Sequence, residues 1–270
     1  MKITFIGGGN MAQAIIGGLR RSGVAAGDIA VTEPMADTRT RLAEDFQVVA
    51  TEEPPADLGD LIVLAVKPQQ MRPAVQALLP ALKPGQVVLS IAAGIRLQDL
   101  ARWLKGHAKL VRCMPNTPAL IGAGVTAAYA TPQISADEHA LAARVLGTMG
   151  KLIWVDREAL LDPVTAISGS GPAYVFYFIE ALEQSARELG LEAGAARTLA
   201  LETFLGAAKL AASSPDDPAT LRAKVTSKGG TTEAALAVME REQIKAAIGK
   251  AARAANERAH ELGEQLGRDG

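Results

Sequence analysis

The sequence predicts a doubly wound parallel α/β sheet followed by an all-helical part, and three observations carry that prediction. Short apolar runs alternate with helical patterns through the first half. From about Arg157 onward the strand patterns give way to long helical ones. Two glycine-rich helix starts stand near opposite ends, Gly7-Gly8-Gly9-Asn10-Met11-Ala12 and Ser227-Lys228-Gly229-Gly230-Thr231-Thr232.

The elements follow in order. Strands are expected at 3–6, 29–32, 61–66, 87–91, 110–112, 125–129 and 152–155. Helices are expected at 11–20, 37–45, 70–79, 97–103 and 136–149. Repeated strand–helix units of this kind argue for a parallel sheet covered on both faces. Further helices are expected at 171–189, 193–212 and 243–266, with Pro215 and Pro218 among aspartates breaking the pattern between the last two. The chain is therefore read as two domains, 1–156 and 157–270. The alanine-rich helices of the second bury little area each, so they are expected to complete their packing against a second subunit.

Composition narrows the class. Hydrophobic residues make up 49% of the 270 but aromatics only 4%, so the core is aliphatic and the chain is long enough to bury a sizeable one. A net charge of −1 without a long basic run argues against a nucleic-acid partner and gives no reason to expect a membrane surface. No stretch is long and apolar enough to span a bilayer. Cys113 is the single cysteine, which excludes an intrachain disulfide and a cysteine metal cluster. A cytoplasmic protein without metal is the expectation.

Gly7-x-Gly9-x-x-Ala12 follows a strand and opens a helix, the context a dinucleotide fingerprint needs. The first glycine permits the turn, the second lets a pyrophosphate approach the backbone, and the small third residue lets helix and strand pack closely. At the end of the second strand stands Glu33, placed to bond ribose hydroxyls and repel a 2′-phosphate. Arg39 and Arg41 lie just beyond and are either phosphate contacts or solvated helix residues. Ala65-Val66-Lys67-Pro68 closes the third predicted strand, where Pro68 stops it and leaves Lys67 at the rim. Arg112-Cys113-Met114-Pro115-Asn116-Thr117-Pro118 forms a stiff loop that is either a structural turn or a holder of the Asn116 amide. Cys113 reads as a small buried apolar group. Ser168-Gly169-Ser170-Gly171-Pro172 reads as a capped helix start with Pro172 in the first turn.

The block at 227–232 exceeds what a cap needs. Ser227, Thr231 and Thr232 bring hydroxyls, and Gly229 and Gly230 free backbone N–H groups, to the positive end of a helix, a receptor for a carboxylate. His107, His139 and His260 lie outside all these motifs and read as surface residues. A hydride transfer to a protonated imine, unlike alcohol oxidation, needs no strong positioned base.

Taken together, the motifs at 7–12, 65–68, 112–118, 168–174 and 225–232 resemble the bacterial pyrroline-5-carboxylate reductases, in the right order over nearly the whole chain. The resemblance implies a Rossmann domain and a C-terminal helical domain of the 6-phosphogluconate-dehydrogenase type. It implies dimers interlocked through the helical domains, assembled in the fullest case into pentamers of dimers. The implied reaction is hydride transfer from NAD(P)H to the cyclic imine 1-pyrroline-5-carboxylate, giving L-proline in the last step of proline biosynthesis. Carried over by residue, Gly7, Gly9, Asn10 and Met11 line the pyrophosphate. Ala65, Val66, Lys67 and Pro68, with Ala92 and Ala93, line the nicotinamide side. Ser227, Gly229, Gly230, Thr231 and Thr232 hold the substrate carboxylate with Asn116 nearby, and Thr232 is the proton donor or relay unless water serves. Many relatives carry a small hydroxyl residue at Glu33 and an asparagine near Glu52, and Lys224 replaces an asparagine of some branches. The resemblance thus favours NADPH and Glu33 favours NADH, with NADPH slightly ahead.

Two other readings compete. A β-hydroxyacid dehydrogenase of the same architecture would carry a lysine and an asparagine on the helix after Gly169-Ser170-Gly171, where this chain has Val175, Phe178 and Ile179. A non-catalytic NAD(P)-sensing dimer accounts for 7–12 but leaves the second anion site and Lys67 without a purpose.

Overall fold

In the computed structural model, which describes residues 1–268, the contacts divide the chain into two units. Met1–Ser170 together with the chain from Ala255 onward forms the first, and Gly171–Ala254 the second. The sequence pattern changes character at 157, whereas the division of packing falls after Ser170 and returns the end of the last helix to the first unit.

The first unit is built on eight strands: β1 (Ile3–Ile6), β2 (Ile29–Thr32), β3 (Val49–Thr51), β4 (Leu61–Leu64), β5 (Val87–Ser90), β6 (Leu110–Met114), β7 (Gly124–Ala130) and β8 (Gly150–Trp154). Their spatial order is β3-β2-β1-β4-β5-β6-β7-β8. The helices are α1 (Asn10–Arg21), α2 (Ala36–Phe46), α3 (Met71–Leu78), α4 (Leu97–Trp103), α5 (Ala136–Leu146) and the short α6 (Leu161–Val164). A π turn, Thr165–Gly169, follows α6.

Every residue of β1, β4 and β5 is buried, including the polar Thr4 and Ser90, as strands covered on both faces require. One face of the sheet is covered by Ile15, Ile16 and Leu19 of α1, Leu42 of α2 and Val145 and Leu146 of α5. The other is covered by Met71, Val75 and Leu78 of α3 and Leu97 and Leu100 of α4. The order reverses at β1, which pairs in parallel with both β2 and β4, and the crevice above such a reversal is where doubly wound sheets bind ligands.

Two expectations change. The sheet is mixed rather than parallel: β7 runs antiparallel to β6, and β8 runs parallel to β7. The link at 115–123 is a 3-10 turn ending at Gly122 in the left-handed region, too short for the crossover a parallel pair needs. In addition, β3 extends the edge beside β2, with Val49 60% exposed and only the short run Val48-Val49-Ala50 to signal it.

The second unit comprises α7 (Gly171–Glu188), α8 (Ala193–Ser213), α9 (Pro218–Lys224), α10 (Thr231–Arg241) and the start of α11 (Ile244–Arg268). Asp217 caps α9, accepting from the Thr220 N–H at 2.9 Å, with Pro218 at the first position. Only small residues of α8, Ala196 and Ala200, are buried, while Phe176, Tyr177 and Leu210 are 65%, 69% and 56% exposed. No described helix is long and apolar enough to cross a membrane.

Candidate active site

The glycine turn after β1 is fixed by what surrounds it. Gly7 has φ of +100°, and its N–H donates to the Thr32 carbonyl at 2.8 Å. A Cβ there would lie 2.6 Å from the Ala65 carbonyl oxygen, so glycine is required on both conformational and steric grounds. A Cβ on Gly8 would meet Leu42 Cδ1 at 2.6 Å, whereas one on Gly9 would meet nothing within 4 Å. Gly9 is also the N-cap of α1, and no side chain caps that helix. Its first-turn N–H groups therefore have no capping side chain, the arrangement that receives an anion. Ala12 is buried where α1 packs on the sheet.

Glu33 braces this turn. One carboxylate oxygen accepts the Gly8 N–H at 2.8 Å and the other the Met35 N–H at 3.0 Å, with the residue 9% exposed. It borders a cavity of about 520 Å³ at the carboxyl ends of β1, β2 and β4. Six of the predicted cofactor residues line that cavity: Gly7, Gly9, Glu33, Ala65, Val66 and Lys67. Asn10 and Met11, opening α1, do not line it; nor do Pro68, which starts a 3-10 turn, or Ala92 and Ala93 after β5.

The sequence reading missed other parts of the wall. Thr32 lines the cavity 7% exposed, and its hydroxyl has no hydrogen-bond partner. A buried hydroxyl left unpaired costs free energy, so this one suits a site whose ligand supplies the partner. Only its place at a strand end beside Glu33 could have signalled it. Pro34, Met35, Pro54, Pro73, Ala74 and Ala77 add an apolar slot, and Glu52 and Glu53 add carboxylates. An open helix start, an orphan hydroxyl and an apolar slot together fit the adenosine and pyrophosphate of a dinucleotide.

Arg112, 4% exposed in the middle of β6, pairs with Glu158 at 3.0 Å and Asp162 at 3.5 Å. The same Glu158 oxygen accepts the Leu97 N–H at 2.8 Å and so caps α4. Asn116 spends its amide on the main chain, donating to the Ser168 carbonyl at 3.1 Å and accepting from the Val125 N–H at 3.0 Å. It locks the loop, the structural alternative left open for it above. Burial pushes the Cys113 thiol well above its ordinary pKa, consistent with a packing role.

Two histidines depart from the surface reading. His107 is buried, with Nε2 2.8 Å from the Gln86 carbonyl, and His139 stacks on Trp154 at 3.8 Å between ring centroids. His260 is exposed and lies 3.5 Å from Asp162 and 3.3 Å from Glu264. Among the described residues no group of three or more metal-ligating side chains converges.

In the second unit, 227–232 opens α10 on Gly230, again with no side-chain cap. Gly229 has φ of +73°, and a Cβ on Gly230 would lie 2.5 Å from Ser227 Oγ, so the glycines let the loop close on itself. The Gly230 N–H donates to the Ser227 carbonyl at 3.0 Å and the Gly229 N–H to the Glu233 carboxylate at 2.7 Å. Thr231 is exposed and Thr232 half-buried at the helix start.

Residues 158–262 match the family described as pyrroline-5-carboxylate reductase dimerisation, and residues 2–94 match the family of coenzyme F420-dependent NADP oxidoreductases. The chain is 47% identical to a pyrroline-5-carboxylate reductase of Pseudomonas aeruginosa, covering 98% of each. It is 38% identical to that of Escherichia coli, covering 92% of this chain and 93% of the relative. A pyrroline-5-carboxylate reductase structure from Coxiella burnetii superimposes with a TM-score of 0.90 at 38% identity, covering 97% of this chain and 98% of the other. One from Plasmodium falciparum, with NADP bound, does so at 0.86 and 26%, with the same coverage.

Proposed function

The chain belongs to the pyrroline-5-carboxylate reductase family, and we propose that it reduces 1-pyrroline-5-carboxylate to L-proline at the expense of NAD(P)H. The observation that carries this reading is the pair of glycine-opened, uncapped helix starts in one chain, one over a dinucleotide-sized cavity and one bearing hydroxyls. A nicotinamide cofactor held by its pyrophosphate at the first would supply the hydride. The imine carbon takes that hydride, the ring nitrogen takes a proton, and the C=N double bond becomes a single bond.

The chain's residues then serve position and charge. Gly7, Gly9 and the N–H groups of Asn10 and Met11 receive the pyrophosphate. Ala65, Val66, Lys67 and Pro68, with Ala92 and Ala93, serve the nicotinamide side. Ser227, Thr231 and Thr232 hold the substrate carboxylate at the positive end of α10, pinning the imine for transfer, while Gly229 and Gly230, whose N–H groups are taken by Glu233 and Ser227, shape the loop that presents them. Asn116 acts by holding its loop. Thr232 is the proton donor or relay, its hydroxyl recovering the proton from solvent.

Of the two nicotinamides, the residues at the cavity favour NADH, against the leaning to NADPH of the family resemblance, of the NADP oxidoreductase family matched at 2–94 and of the NADP-bound Plasmodium falciparum relative. Glu33 supports this, because it stands in the cavity wall with its carboxylate tied to the Gly8 and Met35 N–H groups, and a 2′-phosphate placed beside it would bring like charge. The exposed apolar side chains of α7 and α8, in the region matching the dimerisation family, support a dimer closed by a second copy. Assembly into a pentamer of dimers rests on the family resemblance alone.

The test is full-length protein with NADH or NADPH and the imine. The reading expects cofactor oxidation that depends on the imine and matches L-proline formed. Cofactor binding without imine-dependent oxidation would overturn it in favour of a sensor.

A further inference from the structure

A charged pair, Arg39 and Glu52, stands beside the cavity wall formed by Glu33 and Pro34. Arg39 on α2 is fixed there: its Nη1 donates to the Glu33 carbonyl at 2.8 Å and the Pro34 carbonyl at 2.7 Å. Arg39 does not itself line the cavity, but Glu33, Pro34 and Glu52, the three residues it is tied to or faces, do. Its Nη2 faces the Glu52 carboxylate at 3.7 Å. Glu52 itself lines the cavity, with Glu53 beside it. Arg39 is 23% exposed and Glu52 68%, so the pair is held from the arginine side only.

A guanidinium pinned by one edge, its other edge free to point at the ribose, is a preorganised receptor for a 2′-phosphate. Here a carboxylate covers that edge. The added phosphate would bring roughly −1.5 to −2 charges, so Glu52 both masks the cation and repels the anion. We propose that Glu52 is a specificity-determining residue, holding this site for NADH by masking Arg39, and that the chain carries a latent NADPH site beneath it. The inference rests on the assignment of the cavity to the dinucleotide. Thr32 supports that assignment independently, with its buried, unpartnered hydroxyl in the same wall.

The test is calorimetric titration of the full chain with NADH and with NADPH, no imine present. Glu52→Gln keeps the size of the side chain and removes its charge. The expected result is a fall in the ratio of the NADPH to the NADH dissociation constant by about fivefold, the effect of one unit charge a few ångströms away in a water-like medium. Adding Arg39→Met in the Glu52→Gln background is expected to return the ratio to the wild-type value. An unchanged ratio in Glu52→Gln, or a gain that survives Arg39→Met, would overturn the proposal. The two readings fail separately: these constants are measured without turnover, and imine-dependent oxidation tests the reaction alone.

Discussion

The starts of α1 and α10 look alike in sequence, both glycine-rich and both without a side-chain cap, yet they are held in different ways. At α1 the fold dictates the turn. Gly7 backs onto the Ala65 carbonyl, Gly8 onto Leu42, and the buried Glu33 carboxylate ties the loop to β2. At α10 the loop is held by itself, through Ser227 and Glu233, on a helix with no buried residue. A ligand site embedded in a core cannot be altered without disturbing that core. A site on a self-closed loop can lose its chemistry while everything else stands.

The largest expected effect is therefore at α1. Gly7→Ala forces a side chain into a left-handed turn and against a carbonyl, at a cost of about 2–4 kcal/mol. NADH affinity and melting temperature are expected to fall together, affinity by about 100-fold. Unchanged affinity would show that the glycine turn does not hold the cofactor.

Charging the exposed face of α7 comes next. Phe176→Asp is expected to weaken self-association by about tenfold or more, read by sedimentation, and to make the melting temperature fall more steeply on dilution. NADH binding is expected to persist, since that cavity is lined by the first unit. A variant that associates like the wild type would place the subunit contact elsewhere. The smallest effect belongs to Glu33→Ser, expected to improve NADPH relative to NADH by about tenfold in kcat/KM, at some loss of stability from the broken Gly8 bond. A constant ratio would mean that Glu33 does not sense the ribose.

Much of the first unit could be read from pattern alone. The mainly apolar runs at 3–6 and 29–32 and the helix at 97–103 coincide with β1, β2 and α4, because short buried strands set between helices leave a clear signal. The direction of β7 was harder, since it depends on the length of the preceding link rather than on its own residues. Edge strand β3 is short and half-exposed and carries no periodic signal, yet it delivers Glu52 and Glu53 to the cavity. The α9 helix was signalled by Asp217-Pro218, which reads equally well as a turn.

The candidate site divides in the same way. Gly7, Gly9 and Glu33 follow from local chemistry, so their convergence was visible in one dimension. Thr32, Pro73 and Ala77 reach the same cavity only through packing of β2 and α3. The buried His107 and the bonds of Asn116 to Val125 and Ser168 are likewise products of long-range contact. The segment at 158–170 shows that a change of secondary structure is not a change of packing unit. It turns helical, yet Glu158 and Asp162 pair with Arg112 of the sheet.

The division of labour between the two helix starts is tested most directly by Thr232→Ala, with imine-dependent turnover and the NADH dissociation constant measured on one preparation. The account predicts a loss of roughly 100-fold in kcat with NADH affinity unchanged within about twofold. Equal loss of turnover and cofactor affinity, or turnover that survives the change, would contradict it.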